Sequence, residues 1–189
     1  MQNCRPMKLI FFLFIGVLLM NACNSPSPYF NKTLKISDCE IKVYIPERFK
    51  LRTDTLHHEE AEFVIKHFYD IDSGMQINIE YSLVSNISKY SWSKCGMRCR
   101  FENIIEENNH LVDKDSQHAS LKKINGRPYI NVHNRFKNLN YIFDQLITYI
   151  DTNEIRVSVY DIKFDEKPRA YYDAVKDSIF KSLLVSSKR

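Results

Sequence analysis

Between Met75 and Leu83 apolar and polar residues alternate without a break. Met75, Ile77, Ile79, Tyr81 and Leu83 share one parity; Gln76, Asn78, Glu80 and Ser82 share the other. Successive side chains of a strand point to opposite faces. The segment therefore predicts a half-buried antiparallel strand with its apolar set inward and its polar set to water. One such strand is not stable alone, so the rest of the chain must supply partners. EFVIKHFYDI, residues 62–71, alternates Phe63, Ile65, His67, Tyr69 and Ile71 against Val64, Lys66, Phe68 and Asp70, and Asp72 to Gly74 supplies a turn between the two. Ile41, Val43 and Ile45 line one face of an earlier strand that stops at Pro46. Asn125-Gly126 is the strongest short hairpin signal and joins SLKKI to YINVHNRF. NYIFDQLITYI then meets EIRVSVYDI across Asp151 to Asn153.

Two stretches change period. From Ser88 to about Asn108, Tyr90, Met97, Phe101, Ile104 and Ile105 recur at helical spacing, and the Cys95–Cys99 segment inside the stretch leaves room for two short helices with an irregular joint. Near the C-terminus Asp165 caps a helix and Pro168 fits its first turn. Tyr171, Val175, Ile179 and Leu183 then line one face through to the end of the chain. The order predicts an α+β domain over residues 33–189: an antiparallel sheet of about six or seven strands covered by helices, including a C-terminal one.

The first 22 residues read differently. Arg5 and Lys8 precede a run of large apolar residues from Leu9 to Met20, interrupted by Gly16. A helix needs roughly 20 apolar residues to span a bilayer, and this run is shorter. A charged start, a short apolar core and a small residue at its end describe a secretory signal. Met20, Asn21, Ala22 and Cys23 close it. This resembles the lipobox of bacterial lipoproteins, a large aliphatic residue and two small ones before cysteine. Ala22 and Cys23 match; Met20 stands where Leu is usual and Asn21 where Ser or Thr is. The resemblance implies cleavage behind Ala22 and lipidation of Cys23, giving a signal peptide at 1–22 and a lipid-anchored tether at 23–32. Two or more acyl chains make such an anchor stable. Ser and Pro residues in 24–28 suit an extended tether. Asn24 after the cysteine implies sorting to the outer membrane, facing the periplasm.

Removing Arg5 and Lys8 with the leader takes the formal charge from +4 to +2. So balanced an exported domain gives no case for nucleic-acid binding. Only four glycines argue against a Gly-rich phosphate loop. Cys39, Cys95 and Cys99 remain as thiols, and an oxidising compartment permits one disulfide among them. Cys95–Cys99 is the favoured pair, since four residues apart they share a helix face near the limit of disulfide reach. Cys39 with either partner, and no disulfide, stay open. The spacing suits neither a four-ligand zinc site nor a redox Cys-x-x-Cys pair. No metal and no cofactor is expected.

VYIPERFKL (43–51), INGRPYINV (124–132) and AVKDSIFKSL (174–183) together resemble the PsbP-like fold, in their strand–Pro–loop element, Asn-Gly hairpin and closing helix. That family is mostly non-enzymatic and assists larger envelope or thylakoid assemblies, which implies an accessory role but carries over no functional residue.

HHEEAE (His57 to Glu62) has the composition of a metal cluster. A zincin helix needs its two histidines four apart; adjacent ones diverge on a helix and oppose on a strand. A solvated loop is the better reading there, and a core-edge role the better one for His67. SWSKCGMRCR combines Trp92 with Lys94, Arg98 and Arg100. An aromatic among cations suits an acidic partner or headgroup, so these four are the candidate contact residues. The sequence thus reads as a non-enzymatic, membrane-anchored envelope lipoprotein that binds or assists a protein partner, with a metal-dependent enzyme using His57, His58 and Glu59 as the alternative.

Overall fold

The computed structural model describes residues 29–36, 38–54, 57–58, 61–83, 92–108, 118–136, 141–150, 153–162 and 169–187. In chain order the elements are β1 (Lys32–Ile36), β2 (Cys39–Val43), β3 (Lys50–Asp54), β4 (His57–His58), β5 (Ala61–Tyr69), β6 (Met75–Leu83), α1 (Trp92–Asn108), β7 (His118–Ile124), β8 (Arg127–Phe136), β9 (Tyr141–Ile150), β10 (Asn153–Asp161), α2 (Arg169–Ser182) and β11 (Leu184–Ser187). The alternating segment becomes β6, in the interior of an antiparallel sheet ordered β3-β5-β6-β10-β9-β8-β7; β4 pairs with the start of β5. A second sheet is ordered β1-β2-β11.

Met75, Ile77, Ile79 and Tyr81 are buried on what we term the core face. They pack with Ile155, Val157 and Val159 of β10 and Ile142, Leu146 and Ile150 of β9. Their cover comes from Tyr172, Val175, Ile179 and Phe180 of α2, and equally from Ile41, Val43 and Val185 of the small sheet. Each such side chain contributes about 1.5–3 kcal/mol by leaving water. The molecule is therefore mostly β, and the expected helical cover of an α+β domain is shared with a second sheet. α1 lies on the opposite face, over β8 and β9, where Ile104 contacts a cluster of Ile130, Val132, Ile147 and Tyr149, flanked by Met97 and Phe101.

Two hairpins match their turn chemistry. Asn125 and Gly126 both have positive φ, 47° and 83°, as a tight β-hairpin turn requires. Gly74 (φ 69°) ends the turn between β5 and β6, where Ser73 Oγ donates to buried Asp70 at 2.6 Å.

Four sequence expectations are corrected. The helix of residues 92–108 is one helix, not two. The polar set of β6 does not simply face water: Asn78 and Glu80 are half-buried and Ser82 is buried, because the opposite face is itself partly covered. The fold begins before residue 33: β1 starts at Lys32, and Asn31 accepts from Ile45 N and donates to Ile45 O, each at 2.8 Å. Finally, the C-terminal helix stops at Ser182. Tyr44 N donates to Ser182 Oγ at 2.7 Å, and the Asn125 amide donates to the carbonyls of Lys181 and Leu183. The chain then pairs with β2 as β11, Leu184 opposite Lys42 and Ser187 opposite Cys39.

Candidate binding surface

The register of the large sheet sets side chains in lateral rows on the face away from the core. One row runs Asn134, Phe143, Tyr160, Gln76 and Tyr69. The next runs Val132, Gln145, Ser158, Asn78 and His67. The third runs Ile130, Ile147, Arg156, Glu80 and Ile65. α1 packs at the β8–β9 end of the third row, and Val132 of the second row belongs to the same cluster. The third row carries the charged pair Arg156 and Glu80, whereas the first two rows carry neutral hydrogen-bonding groups and rings; Asn134, Val132, Gln145 and Ser158 among them are buried.

The rings form a connected strip. Phe143 stacks on Tyr160 with centroids 5.1 Å apart. Tyr160 meets Tyr141 at 5.8 Å, and Tyr141 meets Phe136 at 5.3 Å. All four are half-buried. Beside them, Gln145 Nε2 donates to Ser158 Oγ at 2.8 Å, and His67 Nδ1 lies 2.8 Å from Asn78 Oδ1. Burial raises the Tyr160 phenol pKa, while hydrogen bonds from Ser158 and Asn78 hold the rise down. These polar groups are fixed before any partner arrives. Asn134, fully buried at the end of the aromatic row, has neither amide atom hydrogen-bonded. Such a group is uncommon in a native fold.

An ion cluster closes the surface on the α1 side. Glu154, 1% exposed, accepts from Arg100 Nε at 3.1 Å and is also bonded by Arg156 and the Tyr149 hydroxyl. Burial pushes its pKa up, but Arg156 and Arg100, with the hydrogen bonds from Tyr149 and Arg156, outweigh it and leave the pKa below its ordinary value. Glu80, opposite Arg156, shifts the other way. Burial raises its pKa more than Arg156 and His67 lower it.

The residues singled out from sequence fall in three groups. Cys23 and Glu59 lie outside the described residues. Trp92, Lys94, Cys95 and Cys99 fall within α1, and His57 and His58 form β4, but the side chains of all six lie outside what is described. Arg98 is exposed and paired with Glu102 at 3.2 Å, whereas Arg100 turns inward onto Glu154 and Tyr149. Residues two apart on a helix diverge by roughly 200°, so the two arginines do not share a surface. Arg100 fastens α1 to the sheet. Cys39 is wholly buried in β2. Among the described residues no three His, Cys, Asp or Glu side chains gather as a metal site. Sequence reasoning missed Phe136, Tyr141, Phe143, Tyr160, Gln145 and Ser158. The available signal was Gln145 and Ser158 interrupting otherwise apolar runs.

No protein-family model matches the sequence, and no curated protein matches it. A crystal structure from Bacteroides thetaiotaomicron is similar over 79% of this chain, with a TM-score of 0.43 and 14% identity. The chain spans less than half the length of that structure, covering 45% of it.

Proposed function

We propose that the protein is a lipid-anchored envelope lipoprotein whose domain is a non-enzymatic binding or accessory module, engaging a protein partner through the aromatic strip on the face of the large sheet away from the core. The observation that carries this reading is the strip of four half-buried rings, Phe136, Tyr141, Phe143 and Tyr160, beside a pre-bonded row of Gln145, Ser158, Asn78 and His67. Protein interfaces are enriched in aromatics and Arg and depleted of Lys and Glu. Rings held rigid by their neighbours lose little freedom on binding. The lipobox at Cys23 supports anchoring in the outer membrane facing the periplasm. An antiparallel sheet with a C-terminal helix on it is also what the PsbP-like, α+β resemblance leads one to expect of an accessory domain.

A photo-crosslinking residue in place of Tyr141, in the full lipidated chain within intact envelopes, tests this. A discrete adduct is expected there and none from Lys35 on the exposed side of β1. Equal labelling from both positions, or none from Tyr141, ends the reading.

A further inference from the structure

The Asn125-Gly126 turn overhangs a cleft of about 510 Å³ whose other wall is the chain leaving α2, Leu183 to Val185. That volume suits a small ligand. The cleft lies at the opposite end of β8 from the aromatic strip and does not rest on the function proposed for it. Ile124, Pro128, Leu184 and Val185 give it apolar sides. A side chain beginning at Gly126 would meet nothing within 4 Å, so the turn leaves the mouth open.

The Asn125 amide is spent on the carbonyls of Lys181 and Leu183, and the cleft's remaining polar side chains, Arg127 and Tyr129, are donors. Arg127 is half-buried, and its Nη1 donates to the Tyr149 carbonyl at 2.9 Å. Arg48, Arg100 and Arg156 each have a carboxylate partner. Arg127 has none among the described residues. A guanidinium carries five N–H donors in a rigid fork, so one bond to a carbonyl leaves most of that fork unused. Tyr129 lines the same cleft, is 1% exposed, and has a hydroxyl with no partner. Burial pushes its pKa up to about 12 against the opposing charge of Arg127, so it stays an O–H donor at any physiological pH. A buried hydroxyl without a partner is destabilising until an acceptor reaches it.

A planar group with two acceptor oxygens on a short apolar body meets both requirements, and the guanidinium fork matches a carboxylate bidentately. We propose that the cleft between the β7–β8 turn and the start of β11 binds the carboxylate of a small aliphatic ligand, with Arg127 as its anchor and the Tyr129 hydroxyl as a second donor.

The test titrates the full chain in detergent with isovalerate, following the backbone amide signals of Gly126 and Leu184 by NMR, with isovaleramide as the uncharged isostere. Saturable shifts with isovalerate are expected, with affinity falling about tenfold or more for isovaleramide and for Arg127→Gln. Tyr129→Phe removes only the unpartnered hydroxyl, so its fold is retained while binding weakens several-fold. Should Arg127→Gln fail to fold, Tyr129→Phe decides. Absence of saturable shifts, equal affinity for the amide isostere, or undiminished binding by Tyr129→Phe overturns the assignment.

Discussion

Glu80 and Glu154 stand on the same face of adjacent strands, burial acts on both, and their carboxyls move in opposite directions. The difference is the count of cations. Glu154 has two guanidiniums and a phenol on its oxygens, while Glu80 has the weaker fields of Arg156, which is itself bonded to Glu154, and of His67, opposed by that of Glu154. Glu80 has its folded pKa raised above 4.5. Its protonated form favours the fold, so that stability is full below the unfolded value and is lost as pH rises through the folded one. Glu80→Gln is therefore expected to raise the melting temperature at neutral pH, with the gain vanishing as the medium is acidified below the ordinary carboxyl range. A variant less stable than the parent at neutral pH would sink this account. Glu154 has the reverse sign: its stabilisation is present above 4.5 and lost as pH falls through the lowered folded value. Glu154→Gln removes the buried carboxylate that Arg100 and Arg156 share and is expected to cost roughly 3 kcal/mol or more, read by denaturant unfolding. The parity of Glu80 was legible in the sequence. Its partial burial was not, because β10, which sets Arg156 opposite it, comes from a segment far along the chain.

Turns were the most legible elements and the C-terminus the least. Asn125-Gly126 reads directly as a tight hairpin turn, since few other residues take positive φ at both central positions. What the dipeptide did not reveal is that the Asn125 side chain also reaches 58 positions along to the Leu183 carbonyl, and to that of Lys181. Those bonds hold the point at which α2 gives way to β11. Ile179 to Ser187 is apolar enough for either period, and a short apolar run does not distinguish strand from helix. Only the free edge of β2 and the Ser182 contact to Tyr44 resolve it. Two substitutions separate the roles of Asn125. Asn125→Gly keeps the positive φ and loses the two hydrogen bonds, with an expected cost of about 1–2 kcal/mol. Asn125→Ala loses both and adds left-handed strain of about 1 kcal/mol more. Thermal unfolding should rank the parent above Gly and Gly above Ala. The opposite order of the two variants would mean that the side chain has little part in fixing the junction.

At the scale of the molecule, the two ends of the described chain meet in one small sheet. β1 and β2 come from the N-terminal side, β11 from the C-terminal side, and together with α2 they close the core face of the large sheet. That makes the last few residues a structural part of the core rather than a tail. Deleting residues 184–189 removes Val185 from the core, uncovers the edge of β2 and strips the cover from Ile41, which Val185 faces in the pairing. Loss of one buried valine and its strand bonds amounts to roughly 3 kcal/mol. For a chain of this size, that corresponds to a fall of about 6–12 °C in melting temperature. The small sheet is also where the proposed tether enters, so anchoring and folding are expected to separate cleanly. Cys23→Ala should abolish incorporation of labelled fatty acid while leaving the melting temperature of the domain unchanged, because Asn31, within the described fold, ties the entry to β1 onto Ile45. The deletion should do the reverse, keeping the lipid and losing the melt. Labelling that persists in Cys23→Ala would refute the anchor at that residue, and an unchanged melt in the deletion would show that the core face closes without β11.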